Sequence, residues 1–188
     1  MLSETLQAGS GTYLDNFMKN LAIIIPPQRL DASALAACMG IWQKRLNLRV
    51  FSINALQPES YSGNLQAEAL NTLDSNGFDG VAVMPGTGTK EFLWDDPEVI
   101  AQLQLFDRAR KLVAGLGLGA VVLAQSGILL GKKAATNGAV ELSIQLKSYG
   151  AIFVPTDVVK LKWVITGSGA DVEAFAHAVS DWLCKPSR

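Results

Sequence analysis

Short uninterrupted apolar runs alternate along this chain with longer stretches in which apolar residues recur every three or four positions. Residues 21–25 form the first run, which stops at Pro26-Pro27. From Asp31 to Leu46 the apolar residues Leu35, Cys38, Met39, Trp42 and Leu46 follow at helical spacing, so the segment reads as strand, turn and helix. Further runs at 48–53, 78–86 and 111–116 predict three more strands, with helices over 97–109 and 119–130 on either side of the last. A helix at 140–149, strands at 151–154 and 162–166 and a closing helix at 170–183 complete the pattern. Strands that are apolar throughout, rather than alternating, belong to a sheet covered on both faces. The prediction is therefore an α/β chain, a three-layer α/β/α sandwich around a mostly parallel central sheet. The polar, turn-rich stretch 55–66, ALQPESYSGNLQ, reads as an excursion within one domain spanning 21–184, behind an N-terminal extension of residues 1–20.

Composition narrows the function classes. A length of 188 residues with 49% apolar and 18% charged side chains suits one compact domain. Sixteen basic residues against seventeen acidic ones give a net charge of -1, and no run of Lys or Arg interleaves with aromatics, so nucleic acid is not an expected partner. No apolar run approaches the roughly 20 residues that cross a bilayer. The first twenty residues carry polar side chains throughout, unlike a secretory leader, so the expectation is a cytoplasmic protein without membrane contact. Cys38 and Cys184 lie far apart with no partner at metal-ligand spacing, and the single histidine, His177, falls in the last helix; neither metal nor cofactor is expected. Cys38 sits on the apolar stripe of the first helix and reads as core, and Cys184 as a docking residue.

In parallel sheets, functional groups gather at the carboxyl ends of the strands. Three loops qualify: PPQRLD, MPGTGTKEFLWDDP and GLGLG. In the last, Gly115, Gly117 and Ala120 formally satisfy G-x-G-x-x-[G/A], a dinucleotide-binding pattern. Such a fingerprint opens its domain and is answered about 20 residues later by an acid ending the next strand; here the nearest acid, Glu141, falls in a predicted helix. The other reading is a strand-to-helix elbow, the sharp turn that exposes a nucleophile beside helix N-terminal amides. Asp31, just before an apolar-periodic segment, is placed to cap its helix at Ser33 or Ala34. Trp94 suits either a pocket wall or a hydrophobic staple. Lys160, Lys162 and Trp163 read as a solvated strand edge.

The segments FDGVAVMPG, DDPEV, LAQSGILLGKKAAT and ITGSG, in this order, resemble the core of the ThiJ/PfpI superfamily over most of residues 21–183. The resemblance implies a flavodoxin-like, class I glutamine amidotransferase-like fold. In that superfamily the elbow carries cysteine in A-x-C-x-G; this chain has Gly117 in its place, and Leu118 where His or Thr follows. Glycine can neither attack a carbonyl nor be oxidised to a sulfenate. The isonitrile-hydratase and GlxA-type regulator branch is the most similar. Its acid matches Asp31, while the histidine of its ATTHW motif would fall near Asn137, where this chain reads AATNG. The family's PGG loop, whose amides help form an oxyanion site, corresponds to Gly86, Thr87 and Gly88.

The resemblance thus implies a catalytically degenerate protein that binds a small-molecule ligand, or serves as a homodimeric sensor or interaction domain. The alternative is a cysteine-independent hydratase, hydrolase or glyoxalase-like enzyme. There Asp31 would act as general base for water, with amides near Thr87 to Thr89 and Leu118 holding the oxyanion. A peptidase fits least, because the cysteine and the histidine are both replaced.

Overall fold

The computed structural model describes residues 18–53 and 65–185, so most of the expected N-terminal extension and of the polar stretch 55–66 lies outside the described residues. In chain order the elements are β1 (Lys19–Ile24), α1 (Ala32–Trp42), β2 (Leu46–Ser52), β3 (Glu68–Ala69), β4 (Gly80–Val83), α2 (Pro97–Arg108) and β5 (Leu112–Leu116). There follow α3 (Leu118–Gln125), β6 (Lys133–Ala134), α4 (Val140–Ser148), β7 (Ile152–Phe153), β8 (Val158–Lys160), β9 (Val164–Gly167) and α5 (Val172–Leu183).

Seven strands form the central sheet in the order β3-β2-β1-β4-β5-β9-β8, all pairs parallel except β8 with β9. Strands β1, β4, β5 and β9 are buried for nearly their whole length, as unbroken apolar runs require. Helices α1 and α5 cover one face, where Leu35, Cys38 and Trp42 meet Phe175, Ala176 and Val179. The Trp42 indole N–H donates to the Ala176 carbonyl at 2.8 Å, so the largest side chain of that layer is buried with its polar atom satisfied. Helices α2, α3 and α4 cover the other face through Val99, Leu103, Phe106, Val121, Val122 and Leu146. This is the predicted three-layer sandwich.

Chain direction across the sheet reverses between β1 and β4, and crevices at such switch points, outside the carboxyl ends of the strands, are where open α/β sheets hold ligands. No helix among the described residues is long and apolar enough to cross a membrane.

The structure corrects several expected boundaries. Helix α1 stops at Trp42 and not at Leu46, because Leu46 already pairs with Lys19 as the first residue of β2. Helix α3 ends at Gln125, and a turn at Ser126–Gly127, where glycine takes φ 82°, leads on to Gly131. Of the predicted strand 151–154, only Ile152–Phe153 forms, pairing with β6 in a separate two-stranded sheet. The antiparallel edge strand β8 falls between two predicted strands and is not itself among them, though its exposed last residue, Lys160, lies on a sheet edge as expected. Trp163 is not a solvated edge residue: its indole N–H donates to Asp107 at 2.8 Å, and the Arg110 guanidinium lies 5.9 Å from its ring centre.

Candidate functional site

The GLGLG turn is an elbow. Strand β5 ends at Leu116, Gly117 takes φ 54° and ψ -116°, and α3 begins at the next residue. That backbone conformation is costly for any residue with a Cβ, and glycine adopts it without that cost. The turn is held from three sides: the Gly117 amide donates to Gly167 at 2.8 Å, and its carbonyl accepts from Ala120 N–H at 3.1 Å and from the Thr136 hydroxyl at 2.9 Å. Gly119 answers to a different demand. A Cβ there would sit 2.3 Å from the Val83 carbonyl oxygen, so the first turn of α3 rests directly on the backbone of β4. At Gly117, by contrast, a Cβ would meet only Pro85 at 3.4 Å and the Ser168 carbonyl at 3.8 Å, ordinary contact distances. Gly115 lies within buried β5 and not in the turn, so the glycines do not form a phosphate loop.

The loop after β4 clamps the loop after β1. Leu30 and Gly86 form an isolated antiparallel bridge, the Asp31 amide donates to Pro85 at 3.0 Å and the Gly88 amide to Arg29 at 3.3 Å. A Cβ on Gly88 would stand 1.9 Å from the Gln28 carbonyl oxygen. Gly88 is therefore a packing residue. It does not line the cavity described below, and its N–H is already committed to Arg29, which removes it from the expected oxyanion donors. Thr89 is likewise engaged, its amide on Gly86 at 3.0 Å and its hydroxyl on Met84 at 2.9 Å. Among the described residues no acceptor pairs with the amides of Leu118 and Gly119, the first two of α3.

Over the elbow lies a cavity of about 700 Å³ at the carboxyl ends of β1, β4, β5 and β9. It brings together Asp31, Gly86, Thr87, Gly117, Leu118 and Asn137, all named from sequence. Leu30, Ala34, Leu116 and Val172 supply apolar wall. Asp31 caps α1 as expected: its Oδ1 accepts from the Ala34 amide at 3.0 Å and from the Ser33 hydroxyl at 2.7 Å, and the residue remains exposed on the cavity side. Sequence reasoning overlooks Arg29 and Ser168, which also line the cavity. Arg29 stands two residues before the acid in RLD, holds a left-handed φ of 51°, and pairs with Glu91. Ser168 sits in ITGSG, a motif that carries the resemblance of fold and no expected chemistry. Trp94 takes no part in the cavity; it is buried in the cluster beneath α2 and α3.

Neither cysteine lines the cavity. Cys38 is fully buried between α1 and the sheet, and burial, with a smaller contribution from the Asp31 charge, pushes its thiol up to about 12. Burial therefore holds Cys38 as the thiol at pH 8, and only the thiolate attacks. Native protein should therefore lose no Cys38 thiol to iodoacetamide over hours at pH 8, as followed by intact mass and peptide mapping. Alkylation of Cys38 before unfolding would show that α1 opens from the sheet.

Comparison with known proteins gives a consistent result. The family model described as the DJ-1/PfpI family matches residues 43–181. An uncharacterized protein of Methanocaldococcus jannaschii is 33% identical over 159 residues, covering 82% of this chain and 78% of that protein. Among solved structures, a ThiJ/PfpI domain protein from Brachyspira murdochii superposes with a TM-score of 0.82 at 24% identity, covering 89% of this chain and 98% of that one. DJ-1beta of Drosophila melanogaster superposes with a TM-score of 0.76 at 20% identity, over 88% and 90%.

Proposed function

The chain belongs to the DJ-1/PfpI family, and from that membership we propose that it is a member without a covalent nucleophile, which binds a small molecule reversibly in the cavity over its elbow. One observation carries the reading: the elbow geometry persists at Gly117, beneath an open cavity, while the apex residue has no side chain to react. The cavity combines apolar wall with a few polar groups from separate loops, Asp31, Thr87, Asn137 and Ser168 among them, the composition of small-ligand sites. A molecule with a modest apolar body and two or three hydrogen-bonding groups fits that lining.

A second reading is favoured by the position of Asp31. Its Oδ1 serves the cap, and the carboxylate also borders the cavity, which leaves its other oxygen to take a proton from water attacking a bound substrate. Substitution at Asp31 separates the two readings. Asn caps a helix about as well as Asp, whereas Ala forfeits the cap at ~1 kcal/mol. Under the binding reading, wild-type protein turns over neither isonitriles nor 2-oxoaldehydes, a ligand found by thermal-shift screening leaves the protein mass unchanged, Asp31→Asn keeps the melting temperature, and Asp31→Ala lowers it. Reproducible wild-type turnover that vanishes in Asp31→Asn at unchanged melting temperature would replace the binding reading with the hydratase one.

A further inference from the structure

The amino ends of the strands, at the pole opposite the elbow, carry a second cavity of about 280 Å³. Lys19 opens β1, Asp79 precedes β4, Lys111 precedes β5, and Trp182 and Lys185 lie at and beyond the end of α5; Arg110 completes the rim. Four cations thus face one carboxylate, in a chain whose net charge is -1. That carboxylate is already satisfied. Asp79 Oδ1 pairs with Lys19 at 3.1 Å and Oδ2 accepts from the Asn20 amide at 2.8 Å. Two further acids do not line the cavity: Asp181 pairs with Arg45 at 2.7 Å, and Asp107, which keeps its charge, accepts from the Trp163 indole at 2.8 Å.

The cations divide by what already engages them. Lys111 is pinned, its ammonium donating to the Ser75 carbonyl at 2.7 Å, and Lys19 is held by Asp79. Arg110 and Lys185 are exposed and make no ion pair among the described residues. Arg110 adopts a left-handed φ of 56°, uncommon for a residue with a side chain, and its guanidinium lies 5.9 Å from the Trp163 ring centre. Like charges gathered in a concavity repel one another in the absence of an anion and favour one that enters. A guanidinium and an ammonium with no ion-pair partner among the described residues suit an anion with several oxygens, for which Arg offers paired donors and Lys a point charge.

We propose that this cavity binds a small phosphate-bearing anion, with Arg110 and Lys185 as its direct ligands and with Lys19 and Lys111 supplying fixed positive potential. The site is separate from the elbow cavity and does not depend on what that cavity does. Trp182, in its wall, provides a built-in reporter.

The test uses inorganic tripolyphosphate and ATP as probes, with titration calorimetry and tryptophan fluorescence at low ionic strength and sodium chloride matched for ionic strength as control. Tripolyphosphate should bind, more weakly as ionic strength rises from about 0.02 to about 0.3 M. Arg110→Gln combined with Lys185→Gln should weaken it about tenfold or more, since both charge-assisted contacts are lost. Both residues are exposed, so folding should survive; charge reversal by Lys185→Glu in an otherwise unchanged chain gives a second reading of the same site. ATP binding tighter than tripolyphosphate, with an emission change that disappears in Trp182→Phe, would identify the source as a nucleotide stacked on the indole. Equal or weaker binding of ATP would identify the phosphate chain alone. Absence of binding by both probes at low salt, or affinity unchanged in the double variant, would overturn the proposal.

Discussion

Replacing Gly119 by alanine should cost about 3 kcal/mol of stability, the upper part of the range for forcing atoms into a packed interior. The added methyl would lie 2.3 Å from the Val83 carbonyl oxygen and 3.3 Å from the Val83 Cβ, and the first of these is backbone in the middle of the sheet. A flexible side chain could swing aside. A strand carbonyl cannot, because β4 is paired on both sides, with β1 and with β5. Relief therefore requires the start of α3 to lift from the sheet, which pulls Leu118 and the elbow with it. Gly40→Ala is the matched control. Gly40 lies inside α1 with nothing within 4 Å of the added methyl, so this change should stabilise by roughly 0.5–1 kcal/mol through helix propensity and reduced unfolded-state entropy. Urea denaturation of the two variants beside wild type measures both signs. A cost below about 1 kcal/mol for Gly119→Ala would mean that α3 does not rest on β4 as described.

Much of this architecture is legible in the sequence, for a physical reason. Parallel strands buried on both faces must be apolar without interruption, so runs such as Leu21 to Ile25 and Leu112 to Leu116 announce themselves whatever their neighbours. Edge strands have no such signature. Strand β8 has one neighbour and half-exposed residues, and Val158 and Val159 stand beside charged Asp157 and Lys160, so no apolar run marks it. The site divides in the same way. Gly117 and Asp31 can be found because backbone chemistry makes them special, one by its dihedrals and the other as a cap. Gly86 and Gly88 of PGTGT both press on the backbone after β1, where a Cβ would stand 2.3 Å from the Arg29 carbonyl oxygen and 1.9 Å from that of Gln28, yet only Gly86 also borders the cavity. These contacts join segments far apart in the chain, and no local pattern records them. Arg29 and Ser168 reach the cavity through the same long-range convergence.

Gly117→Cys is the substitution expected to change the chemistry most. The backbone at φ 54° and ψ -116° should impose about 1–3 kcal/mol of strain on the new side chain, which a folded domain of this size can absorb. Space is available, since the Cβ would meet nothing closer than Pro85 at 3.4 Å. Gly117→Ala carries the same strain without a thiol and measures that cost alone. Two influences then act in opposite directions on the thiol. The N-terminus of α3, with the free amides of Leu118 and Gly119, favours the thiolate, by up to about 2 kcal/mol in partly buried geometry. The Asp31 carboxylate across the cavity disfavours it, but Asp31 is exposed and water screens its charge to within about 1 kcal/mol. The helix should win, placing the thiol introduced at the apex below the usual value near ~8.5. Iodoacetamide should then label position 117 of the variant within minutes at pH 7, as located by peptide mapping beside wild type, whose free Cys184 is half-buried, and against no labelling of Cys38, whose thiol stands at about 12. Adding Asp31→Asn to the variant should lower the thiol further by removing the opposing charge. An introduced thiol that titrates at about 8.5 or above in both backgrounds would show that the helix N-terminus does not point at the apex. The elbow would then be a packing turn only, and α3 would contribute nothing to the binding proposed for the cavity above it.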